Sequence, residues 1–370
     1  MPPRPNTIVA AAPDTIPFIA PERLEREAGR PFAARLGANE GNLGPSPAAI
    51  AAMEKAARDD AWKYPDPENR ALREALCAHL GTAMDEIVVG PGIDGLLGLI
   101  VRIFSVAGAA IVSSRGAYPT FAYHVTGHGR RLVTAEYRDD REDLDALAAL
   151  CREETARIVY VSNPDNPMGT WWDAQDVTRF FDAVPDSTLI VLDEAYGETA
   201  PEGTLPAIDT ARPNLLRLRT FSKAHGLAGL RCGYALGHRA LTAPFDKVRD
   251  HFGVSLLSQA GALAALGDRA YLAQTVQRIA EARERIAAIG RANGLTPLPS
   301  ATNFVALDCG SEGAHAMALL DALAARGVFL RKPMVAPLDR CIRVSVGRPG
   351  ELDHFEGVLA EACAAVGEGR

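Results

Sequence analysis

The sequence has no hydrophobic run of the length that crosses a membrane. Its most apolar stretch, residues 95–104, is interrupted by Arg102, whereas a membrane helix needs about 18 or more apolar residues in a row. Near the N-terminus a short apolar patch ends at Pro13 and Asp14, so it is shorter than the core of a secretion signal. Both absences favour a cytoplasmic protein.

Paired cysteines and an excess of positive charge are also missing. The six cysteines among 370 residues are scattered, without a Cys-x-x-Cys pair, which argues against a disulfide framework and favours reduced thiols. Lys and Arg number 39 against 46 Asp and Glu, a net charge of −7. Because nucleic acids and anionic membranes attract a basic excess, neither is an expected partner. A small anion in a local cationic pocket is compatible with this balance.

Several catalytic motifs are absent as well. There is no Gly-x-x-x-x-Gly-Lys, His-Glu-x-x-His or Gly-x-Ser-x-Gly. Residues 90–95 fit Gly-x-Gly-x-x-Gly after a predicted strand, but the acidic residue that would bind a ribose about 20 residues further on is missing. A nicotinamide-dependent dehydrogenase is therefore disfavoured. The glycines still predict either a helix N-terminus open to a phosphate or a plain tight turn.

Two histidines, His124 and His128, have the spacing of a metal-binding pair on a helix. Gly127 and Gly129 argue against a helix there. We therefore expect two surface or loop histidines and no metal site.

Short apolar segments alternate with helical patterns through the middle of the chain. Most are continuous runs of Val, Ile and Leu, typical of parallel strands buried on both faces. Ser46 before Pro47 marks a capped helix start, and residues 143–154 carry a helical apolar stripe. The alternation predicts a doubly wound α/β layer around a mostly parallel sheet. The predicted strands are 86–89, 109–113, 131–137, 157–162, 188–192, 215–220 and 232–236.

The pattern changes after about residue 245. A stretch rich in Ala, Arg and Glu over 256–291 predicts one or two helices, followed by shorter elements. The first 40 residues, rich in Pro and Ala, are expected to form an extended arm. The predicted later elements are strands 303–307, 328–331 and 342–346 and a helix over 312–326. The predicted parts are an N-terminal arm with a small-domain contribution (1–40), a large α/β domain (41–245), and an interdomain helix with a small α+β domain (246–370).

Polar residues follow two of the predicted strands. Asp193 comes directly after strand 188–192, and an Asn/Pro-rich loop over 163–169 follows the preceding strand. Ligands bind at the carboxyl ends of strands in open parallel sheets, and the stiff X-Pro bonds would hold Asn166 over the same crevice. A helix cap and an ordinary turn remain the alternative interpretations.

Lys223 lies just past a predicted buried strand and precedes a glycine-rich turn. Burial lowers the pKa of a lysine and frees its amine to attack a carbonyl. Thr220, Ser222 and Arg231 nearby suit a phosphate, since arginine offers a fork of donors and the hydroxyls add hydrogen bonds. A lysine that is simply solvated would explain neither the glycines nor Arg231.

Taken together, these motifs resemble the class I and II aminotransferases, which are fold type I pyridoxal-phosphate (PLP) enzymes, and within them the histidinol-phosphate aminotransferase branch. The resemblance covers nearly the whole chain. It implies a large domain with a seven-stranded, mostly parallel sheet between helices and a smaller C-terminal α+β domain. The segments that carry it are 38–47, 64–67, 90–95, 119–121, 163–169, 193–196, 220–234, 303–304 and 342–347.

The resemblance also implies a role for each matching residue. Lys223 would bond covalently to the cofactor's aldehyde and move the proton, with Asp193 and Tyr196 as the other catalytic residues. Asp193 would pair with the pyridine nitrogen, Asn166 and Tyr196 would bind its phenolic oxygen, and Phe121 would stack on the ring. The phosphate would be bound by Gly92, Ile93, Asp94, Thr220, Ser222 and Arg231, and by Tyr64 from the partner subunit of a homodimer.

For the substrate, the resemblance implies two anion-binding arginines, Arg343 and Arg331, with Asn303 and Asn39 beside them. The implied reaction is transamination between histidinol phosphate and 2-oxoglutarate, giving imidazole-acetol phosphate and glutamate. The N-terminal motif, which begins at Asn39, departs from the family's usual pattern, as do Met168, His225 and the pair His251-Phe252.

Other functions stay open at this point. An aromatic amino-acid aminotransferase would keep the cofactor and change the substrate, and a phosphothreonine-type PLP decarboxylase would share the fold and the lysine segment. A PLP-sensing regulator is disfavoured because only about 40 residues, not markedly basic, precede the aminotransferase-like part.

Overall fold

The computed structural model describes residues 2–12, 18–310 and 312–367, so parts of the predicted arm lie outside the described residues. The helices are α1 Thr7–Ala11, α2 Pro21–Ala28, α3 Pro47–Asp59, α4 Arg70–Leu80, α5 Gly92–Phe104, α6 Pro119–Gly127, α7 Leu144–Glu153, α8 Ala174–Ala183, α9 Arg239–Thr242, α10 Leu256–Gly267, α11 Arg269–Ala292, α12 Gly313–Ala324 and α13 Pro349–Gly367. The strands are β1 Ala34–Arg35, β2 Ile87–Gly90, β3 Ala110–Ser114, β4 Arg131–Ala135, β5 Tyr137–Arg138, β6 Arg141–Glu142, β7 Ile158–Ser162, β8 Leu189–Asp193, β9 Leu215–Thr220, β10 Gly233–Gly237, β11 Thr296–Pro297, β12 Phe304–Asp308, β13 Val328–Phe329 and β14 Cys341–Ser345.

A seven-stranded sheet of order β2-β10-β9-β8-β7-β3-β4 forms the centre of the described chain. Strand β10 pairs antiparallel with both β2 and β9. The other strand pairs of this sheet are parallel. Helices α5 and α6 pack on one face of the sheet and α7 and α8 on the other, which is why strands such as β3, β7 and β8 are buried along their whole length. The predicted α/β fold class is confirmed, and each predicted strand of this region is present within a few residues.

Local capping explains several helix limits. The Ser46 side chain accepts a hydrogen bond from the backbone N–H of Ala49 at the start of α3, and Asp143 does the same for Ala146 at the start of α7. Asp268 follows the end of α10 and also caps α11 through the N–H of Tyr271. One residue therefore divides the predicted 256–291 stretch into two helices.

A second hydrophobic core lies around the antiparallel sheet β11-β12-β14, which is packed by α11, α12 and α13. Strand β1 pairs in parallel with β13, so the segment around residue 34 joins this core. The prediction of an extended arm over 1–40 is wrong for its described part: Asn6 caps α1, and α2 begins at Pro21, a residue preorganised for a first helical turn. The three-part domain division stays a prediction.

The long helices carry charged residues along their length. In α11, which is 24 residues long, Arg and Glu recur through the sequence. None of the helices in the described ranges is both long and apolar enough to span a membrane.

Candidate active site

A cavity of about 200 Å³ opens where the parallel strands β7, β8 and β9 end. Because these strands run in the same direction, their final residues Ser162, Asp193 and Thr220 lie at one edge of the sheet. The predicted site residues that line the cavity are Ile93, Asp94, Asn166, Asp193, Tyr196, Thr220, Ser222, Lys223 and Arg231. The fold thus brings together residues that are spread over 139 positions of the sequence, from 93 to 231 inclusive.

The Lys223 amine is directed toward the N-terminal segment of the chain. Its Nζ donates a hydrogen bond to the Asn39 carbonyl oxygen at 2.9 Å and lies 5.6 Å from the centre of the Tyr196 ring. Burial, and then the positive charges of Arg343 and Arg231, lower the pKa of Lys223 to about 8. About a tenth of this amine is therefore unprotonated and nucleophilic at pH 7, far more than for a lysine of ordinary pKa.

Asp193 is 5% exposed at the end of β8. Its Oδ2 accepts a hydrogen bond from the Tyr160 hydroxyl at 2.8 Å, and its Oδ1 accepts one from the Ala195 N–H at 2.9 Å. Burial raises the pKa of Asp193 to about 6 although these hydrogen bonds act in the opposite direction. The carboxyl is ionised at neutral pH, and each oxygen keeps a lone pair for a further donor in the cavity.

The Tyr196 hydroxyl lies between two side-chain amides. Asn39 Nδ2 donates to its oxygen at 3.2 Å and Asn166 Nδ2 approaches it at 3.5 Å. Burial raises the pKa of Tyr196 well above its ordinary value, so the phenol stays protonated and can donate a hydrogen bond to a ligand oxygen.

The residues predicted to bind a phosphate form a cradle at the N-terminus of α5. Gly92 begins this helix with φ +75°, and Arg231 reaches toward it so closely that a Cβ at position 92 would lie 2.5 Å from Arg231 Nη2. The hydroxyls of Thr220 and Ser222 are 2.9 Å apart, and Arg231 Nη1 is 3.5 Å from Ser222 Oγ. Backbone N–H groups, two hydroxyls and a guanidinium fit a phosphate ester.

Substitution of Gly92 by alanine is expected to displace Arg231 and to weaken cofactor binding roughly tenfold or more, as for the loss of one charge-assisted hydrogen bond. Because the backbone at position 92 has a positive φ, the alanine is also expected to lower the free energy of unfolding by about 1–2 kcal/mol. Gly81→Ala is the matched control, because Gly81 has φ +70° and open space around its Cβ direction. Cofactor titration checks the difference: equal affinities in the two variants would contradict this role of Gly92.

Arg343 is a buried guanidinium without an acidic partner in the described residues. It is 9% exposed, its Nη1 donates to Asn166 Oδ1 at 2.6 Å, and its Nε has no hydrogen-bond partner there. Burial lowers the pKa of Arg343 to about 10, so it stays charged at neutral pH. A buried charge with an unused donor is suited to bind an anion, and the substrate contact of Arg343 stays a prediction.

Like Arg343, the other predicted substrate residues stand around the cavity and not on its wall. The Arg331 guanidinium lies over the rings of Phe18 and Phe329, at 4.8 and 5.5 Å, and its Nη2 donates to the Ile19 carbonyl. Asn303 Nδ2 donates to the carbonyl oxygens of Asn39 and Glu40, and the Asn39 side chain contacts Tyr196 and Ser345. Their substrate contacts stay predictions.

Phe121 packs in the core beside the cavity, and its stacking on the cofactor ring stays a prediction. It is 1% exposed and stacks on Tyr160, with ring centroids 4.5 Å apart, whereas Tyr118 lines the cavity. The reason is that α6 begins at Pro119, so that Phe121 turns into the core beside α5. Tyr118, just before the helix, lies on the cavity wall itself.

Tyr64 and His124 complete the placement of the predicted residues. Tyr64 is 79% exposed, stacks on Phe252 at 4.6 Å, and does not reach the cavity of its own chain.

The expectation of no helix at His124 is wrong, because α6 tolerates Gly127 as its last residue. His124 Nε2 lies 3.0 Å from Asp94 Oδ1, and no cluster of metal-ligating side chains occurs in the described residues.

Eight residues on the cavity wall were not among the predicted site residues: Ala38, Glu40, Tyr118, Tyr160, Ser162, Pro164, Ala195 and Ala228. For Tyr160 a signal existed, because it precedes Ser162 by two positions in β7 and residues i and i+2 of a strand share a face. An amine of lowered pKa opposite a buried carboxylate, with an anion cradle between helix and strand ends, suits a phosphorylated pyridine aldehyde. The fold and the cavity thus define a fold type I pyridoxal-phosphate enzyme.

Comparison of this chain with known proteins shows the family to which it belongs. The model of "Aminotransferase class I and II" matches residues 34–359. The histidinol-phosphate aminotransferase of Anaeromyxobacter sp. (strain Fw109-5) is 38% identical over 96% of this chain and 98% of its own. A crystal structure of histidinol-phosphate aminotransferase from Sinorhizobium meliloti, in complex with pyridoxal-5'-phosphate, is 51% identical with TM-score 0.95 and 98% of both chains covered. The aspartate aminotransferase of Rhizobium meliloti, 19% identical with TM-score 0.80, shares the fold.

This chain belongs to the class I and II aminotransferases. The predicted family, fold type, aminotransferase activity and pyridoxal-phosphate cofactor are thereby confirmed.

Proposed function

We propose that this enzyme transfers the amino group of histidinol phosphate to 2-oxoglutarate, giving imidazole-acetol phosphate and glutamate. The observation that carries the proposal is the Lys223 amine of lowered pKa, held in one cavity with the Asp193 carboxylate and the Arg231 cradle. Relatives with that named activity, at 38% identity from Anaeromyxobacter and 51% from Sinorhizobium meliloti, support the choice of substrate.

Pyridoxal phosphate supplies an aldehyde that condenses with amines and a pyridine ring that accepts the electrons released at the substrate's α-carbon. In this chain Lys223 lies on the cavity wall, and its amine would take the proton from the substrate's α-carbon and deliver it to the cofactor carbon that had carried the aldehyde. Asp193, ionised at neutral pH, holds a proton on the ring nitrogen. Tyr196 and Asn166 donate hydrogen bonds to the ring's phenolic oxygen.

The cradle of Gly92, Thr220, Ser222 and Arg231 binds the cofactor phosphate and fixes the ring position. Arg343 binds the anionic end of the substrate, since its guanidinium has unused donors beside Asn166. The phosphate of histidinol phosphate and the carboxylate of 2-oxoglutarate are both forked acceptors that match a guanidinium, so the same arginine serves both halves of the reaction.

We also propose a homodimer in which Tyr64 of one subunit reaches the cofactor phosphate of the other. Tyr64 is 79% exposed and Phe252, on which it stacks, is 48% exposed. An exposed aromatic pair of this kind favours an interface, and Arg231 on the cradle is exposed in the isolated chain. Sedimentation of the holoenzyme, with a Tyr64→Phe variant compared for cofactor affinity, tests this assembly.

The test of the reaction is a panel of amino donors with 2-oxoglutarate. L-histidinol phosphate is expected to be used with the highest kcat/KM, with glutamate formed in equal amount and no CO₂ released. An aromatic amino acid preferred over histidinol phosphate would replace the proposed substrate. Release of CO₂ without consumption of the oxo acid would identify a decarboxylase instead.

Arg343→Gln is expected to raise the KM for histidinol phosphate roughly 10- to 100-fold, the value of a charge-assisted hydrogen-bond pair, with a smaller effect on kcat. Because the variant removes a buried charge that lacks an acidic partner, its Tm is expected to equal or exceed that of the wild type. Arg331→Gln is the comparison and is expected to have the smaller effect on KM. An unchanged KM in Arg343→Gln would contradict the assignment.

A further inference from the structure

Two carboxyl groups are buried behind the cofactor site and take no part in the chemistry above. Glu142, at the end of β6, is 1% exposed, and Asp165, in the Asn/Pro loop, is 3% exposed. The Ser162 hydroxyl oxygen lies 2.9 Å from Glu142 Oε1 and 3.3 Å from Asp165 Oδ1. A single hydroxyl hydrogen cannot be donated fully to both carboxyls at once.

No cation compensates this pair by direct contact within the described ranges. Glu142 accepts from the Ser114 hydroxyl at 2.6 Å and from the Ser162 N–H at 2.8 Å, and Asp165 accepts from the Tyr137 hydroxyl at 2.8 Å. All of these donors are neutral. Two full negative charges at this depth would be strongly unfavourable, so the pair has a lower free energy when one of the two carboxyls is protonated.

The titratable groups that face the pair come from three strands. They are Tyr137 of β5, Tyr160 of β7 and Arg343 of β14. Burial, and then repulsion from Asp165, raise the pKa of Glu142 to about 8. Burial likewise raises the pKa of Asp165, against the hydrogen bonds and the positive charge of Arg343.

The pair connects to the substrate site through the Asn/Pro loop. Asp165 Oδ2 accepts from the Met168 N–H at 2.8 Å, and the Asn166 N–H reaches Ser162 Oγ at 3.4 Å. Asn166 Oδ1 in turn accepts from Arg343 Nη1 at 2.6 Å. The orientation of the Asn166 amide, and with it that of the Arg343 guanidinium, therefore depends on the hydrogen bonds around Ser162.

We propose that Glu142 and Asp165 hold one proton between them and act as positioning residues. With the proton present, they fix Asn166 toward Arg343; when the proton is lost, a second buried negative charge opposes the binding of an anionic substrate. The second half of this statement rests on the proposed anion-binding role of Arg343, whereas the first half does not.

The shared proton is tested without substrate by Glu142→Gln, which keeps the side-chain shape and cannot ionise. Between the usual glutamate pKa of 4.5 and about 8, the unfolded wild type has released a proton that the folded state retains, so wild-type stability falls as pH rises. The Tm of Glu142→Gln relative to wild type is therefore expected to increase over this range and to be constant above it. Glu136→Gln, which removes a 61% exposed carboxylate from the neighbouring turn, is expected to show no such increase.

A spectroscopic measurement on the wild type does not depend on any variant. Infrared difference spectra of the cofactor-free enzyme are expected to show a protonated carboxylic acid that ionises near pH 8 and that is absent in Glu142→Gln. A flat Tm difference together with no such carboxylic acid would overturn the shared proton.

The effect on substrate is tested by the KM for L-histidinol phosphate on either side of pH 8. The ratio of wild-type to Glu142→Gln KM is expected to rise roughly threefold or more as Glu142 ionises, because like charges repel more strongly in a buried site. Ionisation of the substrate affects both enzymes and cancels in the ratio. If the ratio stays constant while the Tm and infrared results hold, the pair is structural only and its link to Arg343 is wrong.

Discussion

Lys223→Ala is expected to lower the rate of transamination by roughly four orders of magnitude or more, because it removes both the covalent attachment to the cofactor and the proton carrier. The cradle formed by Gly92, Thr220, Ser222 and Arg231 does not depend on this amine. The variant is therefore expected to bind the cofactor without a covalent bond. Single-turnover kinetics with L-histidinol phosphate measure the loss.

Borohydride treatment followed by peptide mass spectrometry gives a second readout. In the wild type the mass of the cofactor is expected on the peptide that contains Lys223, and in Lys223→Ala on no peptide. Lys55→Ala is the control, because the Lys55 side chain is 75% exposed and pairs only with Asp59. Cofactor mass on another lysine of the wild type would refute the assignment of Lys223.

Asp193→Asn is expected to lower kcat by roughly three orders of magnitude, the size of effect seen when a preorganised polar group facing the reacting centre is removed. Asparagine can still accept from the Ala195 N–H through its oxygen and donate to the Tyr160 oxygen through its NH₂, so the geometry of the strand end is retained. What is lost is the charge that keeps a proton on the ring nitrogen. Asp182→Asn, at a 62% exposed carboxylate, is the control and is expected to leave kcat unchanged.

The pH dependence separates this electrostatic role from a structural one. Burial raises the pKa of Asp193 to about 6, so the carboxyl is mostly neutral below that pH. The cofactor affinity of the wild type relative to that of Asp193→Asn is expected to fall as pH drops below about 6. Ionisation of the cofactor phosphate affects both proteins and cancels in this ratio. Parallel pH profiles for the two proteins would rule out the ionised carboxyl as the ligand of the ring.

The central sheet could be predicted because its strands are continuous apolar runs, and burial on both faces leaves that pattern in the sequence. The helix starts at Ser46 and Asp143, each with a side chain that caps the helix, could also be predicted. The division of the stretch at Asp268 could not be predicted. An aspartate inside a long Ala-rich stretch does not by itself indicate that one helix ends there and the next begins. The helices of the N-terminal segment were missed since Pro and Ala there favoured an extended chain.

The residues predicted at strand ends do meet in one cavity, because parallel strands deliver their last residues to one edge of the sheet. The position of the Phe121 side chain relative to the cavity could not be predicted in this way. It depends on where α6 begins, and a shift of a few residues along a helix turns a side chain from the cavity into the core. The burial of Glu142 could not be predicted for another reason. The β5–β6 hairpin places Glu142 against Ser162 of β7, and no local sequence pattern indicates that contact.

The segment that receives the lysine amine has a consequence for biosynthesis. The backbone near Asn39 is held by partners at the opposite end of the chain: Leu36 bonds to Phe329 and Ser345, and Ser345 Oγ bonds to Asn39. Domains fold in order of their emergence from the ribosome, N-terminal first, yet this early segment must wait until position 345 has been translated. A nascent chain can thus assemble the central sheet while its reactive pocket still lacks one wall, and the enzyme becomes competent only after position 345 has emerged from the ribosome.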